Sequence, residues 1–195
     1  MKKTVLPLIA VIAIVLLVVV FRSGRPDLKQ YVSLSDPGIT NLSPQKMLTI
    51  ELKGDPNQTS GEAFGQLYRT YFKLKSKHKS FKPVAPRARW TGNPAVRASW
   101  TGVFGLPVAD DVTGLPAGTD PRLRIETWAY GATAQILHKG AYTNEQPTVD
   151  RLRAFIKEKG YRIVGEHEEE YLTMPSSDSS RFFTVIRYRV EKTGQ

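Results

Sequence analysis

Residues 135–156, QILHKGAYTNEQPTVDRLRAFI, predict a strand that bends at Gly140 and continues into a helix. We expect the helix from about Asn144 to Lys159, because its apolar positions recur at helical spacing and Gly160 is placed to end it. The bend carries an exposed tyrosine as well as a glycine. It is therefore compatible with a phosphate cradle, a metal site on the preceding histidine, or the rim of a pocket.

The first half of the chain shows the same order of elements. KMLTIELKGDP alternates as a strand does, and TSGEAFGQLYRTYFKL follows with helical spacing. A shift of 85 residues places apolar positions of the first half on those of the second: Leu52 on Leu137, Phe64 on Val149, Leu67 on Leu152 and Tyr71 on Ile156. Capping boxes are predicted at the two helix starts, from Thr59 with Glu62 and from Thr143 with Gln146.

Each helix is followed by short strand patterns. FKPVAPRARW and ASWTGVFGLPV follow the first helix, and YRIVG, EEYLTM and RFFTVIRYRV follow the second. The sequence therefore predicts an α+β domain made of two tandem β-α-β-β pseudo-repeats. Each repeat alone would leave apolar surface in water, so we expect the two to share one sheet, with a cleft between them.

The N-terminus differs from the rest of the 195-residue chain. After two lysines, TVLPLIAVIAIVLLVVVF carries no charge and is long enough to cross a bilayer. No A-x-A-like cleavage site follows it. We therefore expect an uncleaved single-pass membrane anchor at residues 1–23, a tether at residues 24–44 and the domain at residues 45–192. Basic residues flank the apolar run on both sides, and we expect the domain to lie outside the cytoplasm.

The net charge is +10 and is unevenly distributed. No acidic residue occurs between Glu62 and Asp110. Nine basic residues fall in that interval: Arg69, Lys73, Lys75, Lys77, Lys79, Lys82, Arg87, Arg89 and Arg97. Such a segment can be a solvated face, a contact for anionic lipid or a contact for nucleic acid. Beside a membrane anchor we expect lipid as the partner and no nucleic acid.

The bend at Gly140 lacks the features of two of its three interpretations. A phosphate cradle needs several glycines and a Lys-Ser or Lys-Thr pair, and neither is present. A metal site on His138 would need companions at ligand spacing, but His78 and His167 lie in unrelated segments and the chain has no cysteine. No metal or cofactor is therefore expected. A packing role for the bend and the rim of a pocket both remain open.

The order of motifs around this bend resembles the GyrI-like effector-binding family. That family shows H-x-G-x-Y before a helix, a glycine-tyrosine pair after it, and then E-x-Y-x-x-x-P. The matching residues are His138, Gly140, Tyr142, Gly160, Tyr161, Glu169, Tyr171 and Pro175. The resemblance implies an aromatic-lined cleft whose buried glutamate attracts cationic or planar aromatic ligands. Relatives sense drugs, inhibit gyrase, hydrolyse cyclopropane-bearing toxins or serve as a membrane-tethered adaptor.

The residues themselves suggest the composition of a binding site. Glu169 and Tyr171 are two apart in a predicted strand, so they share one face, while Glu170 points to the other. Tyr142 is expected beside them. Three tryptophans are candidate walls, because indole faces attract organic cations: Trp90, Trp100 and Trp128. In the alternative interpretation, EHEEE is a solvated acidic turn and the tryptophans are ordinary core.

Three classes of function remain compatible with the sequence. The first is a membrane-anchored module that binds a small cationic or planar aromatic molecule. The second is a hydrolase of a strained electrophile, with Glu169 as general base and Tyr171 or Tyr142 orienting it. The third is an adaptor that holds a protein partner at the membrane.

Overall fold

The computed structural model of the protein describes residues 27–77, 84–92, 99–173 and 178–194. These residues form two α-helices, α1 (Pro56–Lys75) and α2 (Gln146–Glu158). They also form nine strands: β1 (Gly38–Leu42), β2 (Gln45–Lys53), β3 (Arg87–Thr91), β4 (Thr101–Pro107), β5 (Arg124–Trp128), β6 (Gly131–Lys139), β7 (Tyr161–Ile163), β8 (His167–Tyr171) and β9 (Phe183–Lys192). Mixed α+β architecture is therefore confirmed.

The strands form one antiparallel sheet in the order β1-β6-β9-β8-β3-β4-β2-β5, and β7 pairs with β9 beside β8. Strands from the first and second halves of the chain meet at the centre, where β3 pairs with β8. Each half contains a strand, a helix and further strands in that succession. Their origin as one repeated unit remains a prediction.

The sheet curls into a half-barrel because its two edges are tied together by short connections. Strands β1 and β5 lie at opposite edges, yet residues 43–44 alone join β1 to β2, and residues 129–130 alone join β5 to β6. Leu42 on one edge packs against the cluster that contains Met47 and Trp128 near the other. The sheet therefore has an inner face, enclosed by the curl, and an outer face that carries the helices.

Apolar stripes on the two helices cover the ends of the outer face. In α1 the buried residues are Ala63, Leu67, Tyr68, Thr70, Tyr71 and Leu74, and all of them except Thr70 belong to a cluster with Leu48, Ile50 and Phe104 of the sheet. In α2 they are Val149, Leu152 and Ile156, packed with Ala134, Ile136 and Ile186. Burial of these stripes is the main term that holds the helices on the sheet.

Both predicted capping boxes are wrong. Helix α1 begins at Pro56, three residues before Thr59, and the Asp55 side chain accepts from the Asn57 backbone N–H at 2.9 Å. Helix α2 begins at Gln146 with no side-chain hydrogen bond at its cap. In each helix a proline stands in the first two positions. Its fixed φ and missing N–H suit a helix start, and this preference outweighs the box pattern.

Part of the predicted tether belongs to the domain. Residues Leu28–Ser35 form a 3₁₀ helix, and strand β1 pairs along its length with β6. The boundary expected at Gln45 is therefore too late. The expected anchor, residues 1–23, lies outside the described residues. Among the residues that the structure describes, no helix is long and apolar enough to cross a membrane.

The basic segment proves not to be one continuous surface. Arg87 and Arg89 lie on the inner face of β3, with side chains only 15% and 19% exposed, and they pair with Glu170 and Glu168. Their expected place on a lipid-facing surface is wrong. Exposed basic residues remain on α1 and just beyond it, namely Arg69, Lys73, Lys75 and Lys77. Lys79, Lys82 and Arg97 lie outside the described residues.

Candidate functional site between the helices

The centre of the outer face lies between the two helices. Helix α1 packs against β2 and β4, and α2 packs against β6 and β7, so the junction strands β3 and β8 run between them. We call the outer surface of β3 and β8, with the side chains that converge on Glu169, the inter-helix site. Pockets in proteins favour such junctions between two halves of a fold.

Glu169 lies at the base of the inter-helix site and is only 6% exposed. Its neighbours across the sheet are Ala88 on β3 and Ile186 on β9, neither of which can pair with a carboxylate. Its partners come instead from its own strand, two residues away on either side. The His167 ring lies 3.1 Å from a Glu169 oxygen, and the Tyr171 hydroxyl also hydrogen-bonds to that carboxylate.

A chain of hydrogen bonds orients His167. The exposed Arg153 on α2 donates to the Tyr188 hydroxyl at 3.1 Å, and Tyr188 lies 2.8 Å from His167 Nδ1. An arginine can only donate, so the Tyr188 hydrogen is free to point at Nδ1. In that arrangement Nε2 carries the imidazole hydrogen and donates to Glu169. In this series of hydrogen bonds, each donor points from the surface towards the buried carboxylate of Glu169.

Glu145 is the functional candidate that the sequence did not reveal. It follows the 3₁₀ helix Tyr142–Asn144 and precedes α2, and its side chain makes no capping bond. Its Oε2 atom is buried and has no hydrogen-bond partner among the residues that the structure describes. Burial, together with the negative charge of Glu169, raises the pKa of Glu145 to about 8. No sequence motif marks this residue, because its role depends on facing a strand 24 residues further along the chain.

Glu145, His167 and Glu169 form one compact group. Each offers an atom that lies within 4.8 Å of the other two. Two carboxylates and an imidazole are ligands that a divalent cation such as Zn²⁺ accepts, and Tyr188 would orient the imidazole from behind. Binding of such an ion would break the hydrogen bond between His167 and Glu169.

The other histidine considered as a metal ligand, His138, has both ring nitrogens occupied. They lie 2.9 Å from the Thr148 hydroxyl and 3.2 Å from the Ala141 carbonyl.

Aromatic rings surround this group. Tyr142 packs edge-on against Tyr171 at 5.6 Å between ring centroids, and Phe64 of α1 contacts Tyr171 at 6.0 Å. Trp90 lies 5.8 Å from Trp100. All five rings are partly exposed, whereas Glu169 is buried. A buried carboxylate therefore lies near a set of partly exposed aromatic rings.

The two tyrosines at this site keep their protons under ordinary conditions. Burial, followed by the charge of Glu169, raises the pKa of both Tyr142 and Tyr171 above the usual range for tyrosine. Each hydroxyl is therefore a donor in the neutral range. The indole N–H of Trp90 acts in the opposite direction and lowers the pKa of Tyr171. This buried nitrogen does not form a full hydrogen bond with any described residue.

One predicted wall residue lies elsewhere. Trp128 is on the inner face, where its ring stacks under Arg89 at 4.0 Å and its N–H donates to Glu126 at 2.8 Å. The structure therefore brings together Glu169, Tyr171, Tyr142, Trp90 and Trp100, but not Trp128. Alternation along β5 and the curl of the sheet place Trp128 inside the half-barrel.

The inner face opposite the site contains a buried ionic network. Arg187 donates to Glu168 at 3.2 Å, to Gln135 at 2.7 Å and also to Glu170. Tyr130 donates to Glu168 at 2.9 Å. Burial alone would raise the pKa of Glu170, but the charges of Arg187 and Arg87 hold it below its usual value. Glu170 thus points away from Glu169, as strand alternation predicts, and it is buried as well.

Comparison with known proteins places the chain among small-molecule binding domains. Residues 35–181 match the family described as the GyrI-like small molecule binding domain. No curated protein matches the sequence significantly.

Solved structures share the fold at low identity. An uncharacterized conserved protein from Listeria innocua matches with a TM-score of 0.72 at 20% identity, over 88% of this chain and 98% of the other. A hydrolase from Listeria innocua gives 0.71 at 19% identity, over the same shares. The EcmrR C-terminal domain gives 0.61 at 11% identity, over 81% of this chain and 98% of the other.

Proposed function

The chain belongs to the GyrI-like small-molecule binding family, and we propose that its inter-helix site captures an organic cation with a planar aromatic or amphipathic body. The observation that carries this proposal is the buried Glu169 beneath partly exposed aromatic rings. A buried carboxylate is costly unless a cation or donors meet it, and aromatic faces attract cations by about 0.5–2 kcal/mol.

The proposal is tested by fluorescence titration of the full-length chain with a cationic aromatic dye and with a neutral dye of the same ring system. We expect saturable binding of the cationic dye and at least tenfold weaker binding of the neutral one. Equal affinity for the two dyes would show that the carboxylate does not select the ligand.

A second candidate function is acid–base hydrolysis of a reactive small molecule. It is supported by the pairing of Glu145, whose pKa of about 8 keeps it protonated at neutral pH, with Glu169, which accepts two hydrogen bonds. Two carboxyl groups in different environments can divide the roles of acid and base. Turnover of an electrophilic aromatic substrate that is lost in both Glu145→Gln and Glu169→Gln would support this function.

The membrane anchor at residues 1–23 remains part of the proposal on sequence grounds. The uncharged apolar run and its basic flanks support it. We further propose that the domain lies outside the cytoplasm, which would present the inter-helix site to molecules before they enter the cell.

A further inference from the structure

We propose that Glu145 and Glu169 together select cations whose charged head carries at least two N–H donors, such as a protonated primary amine, amidine or guanidine, over cations that have no N–H group. This inference rests on the proposed function of the inter-helix site and makes its ligand class more specific. Its basis is the difference between the hydrogen bonds that the two carboxyl groups can accept and those that the protein supplies.

The two carboxyl groups differ in what the protein supplies to them. Glu169 receives His167 at 3.1 Å and the Tyr171 hydroxyl. Glu145 presents a buried Oε2 to which no described residue donates a hydrogen bond. A buried acceptor without a donor is destabilising, and more so when it is charged. A ligand that brings a donor to Glu145 removes this destabilisation, whereas a ligand that brings charge alone does not.

The spacing of the two groups suits a single nitrogen. Their nearest ligating atoms lie within 4.8 Å of each other. A charge-assisted N–H···O bond is about 2.8 Å long, so two such bonds that diverge from one nitrogen at the tetrahedral angle bridge oxygens about 4.6 Å apart. A quaternary ammonium offers only C–H groups, whose carbons approach oxygen no closer than about 3.3 Å. The nitrogen of a quaternary ammonium would lie one N–C bond length further from the carboxylate oxygens than these carbons.

The test compares two probes that differ only at the charged head, 4-phenylbenzylammonium and its N,N,N-trimethyl counterpart. Calorimetric titration of the full-length chain at pH 7 is expected to show the primary ammonium binding at least tenfold tighter. In Glu145→Gln this preference should fall below about threefold, with trimethyl binding changed less than twofold. Glu166→Gln, at an exposed position one residue before β8, is the matched control and should keep the wild-type preference.

Equal affinity of the wild type for the two probes would overturn the inference. A tenfold preference that persists in Glu145→Gln would overturn it as well.

The same data distinguish this inference from the proposed function beneath it. If both probes bind equally and both weaken in Glu169→Gln, the cation site stands and the N–H selection falls. If neither probe binds, both fall. Addition of EDTA should leave the affinities unchanged. Loss of ammonium binding with EDTA would show that a metal ion, and not the ligand nitrogen, bridges the two carboxylates.

Discussion

The carboxyl group of Glu145, at the start of α2, faces that of Glu169 on β8, with an atom of each within 4.8 Å of the other. Within the described part of the chain, no donor reaches the buried Oε2 of Glu145. Two carboxyl groups this close cannot both be ionised in a partly buried place without cost, so a proton or a bound cation must be present. The predictions below depend on this relationship and on the separation of the two sheet faces.

Glu145→Gln should stabilise the protein increasingly as the pH rises. The pKa of Glu145 is raised from 4.5 to about 8, first by burial and then by Glu169. Between these values the folded state holds a proton that the unfolded state has released, so wild-type stability falls with rising pH. Glutamine does not titrate. Thermal melts should show little difference at pH 4 and a gain of about 1–3 kcal/mol at pH 8. A constant difference across this range would contradict the assignment.

Glu169→Gln should weaken binding of a cationic aromatic dye by roughly 10- to 100-fold, because a charge-assisted contact of about 1.5–3 kcal/mol is lost. Fluorescence titration of the full-length chain provides the measurement. The exposed Glu166→Gln is again the control. If Glu166→Gln does as much damage as Glu169→Gln, the effect is one of general surface charge.

Glu170→Gln should destabilise the fold while leaving the outer face intact. Its carboxylate lies among Arg187, Arg87 and Tyr31 on the inner face. Removing one partner of a buried ion pair costs about 3–5 kcal/mol. Because the pKa of Glu170 is lowered in the folded state, this stabilisation is present above about pH 4.5 and is lost as the pH falls further. Urea unfolding at pH 7 and pH 3 should show the difference shrinking at the lower pH.

Trp90 and Trp128 should respond differently to substitution. Trp90→Phe alters a partly exposed ring of the inter-helix site, and we expect a several-fold loss of dye affinity. Trp128→Phe removes a buried indole that stacks on Arg89, so it should lower the melting temperature without changing dye affinity. Dye binding that depends on Trp128 and not on Trp90 would place the ligand on the inner face.

Truncation should distinguish the anchor from the domain. Removal of residues 1–23 should leave a cooperative melt and release the protein from membranes. Removal of residues 1–44 should lower the melting temperature markedly, because β1 and the preceding 3₁₀ helix are lost from the sheet. A protein lacking residues 1–23 that still sediments with membranes would contradict the anchor. Equal stability of the two truncations would contradict the revised domain boundary.

Local periodicity determined much of this protein before any contact was known. The helical spacing of Leu67, Tyr68 and Tyr71 predicts a buried stripe, and these residues are buried in α1. Alternation along β8 predicts that Glu169 and Tyr171 share one face and that Glu170 takes the other. Such inferences succeed because side-chain direction in a helix or strand depends on the backbone repeat alone.

The contacts of each face depend on how the strands and helices are assembled. The pairing of β3 with β8 put Arg87 and Arg89 beside Glu170 and Glu168, inside the half-barrel instead of on a lipid-facing surface. Curling of the sheet enclosed Trp128 on that inner face, and the entry of α2 brought Glu145 to Glu169. These contacts join residues far apart in the chain, so their partners follow from strand order and sheet curvature, which no local pattern contains.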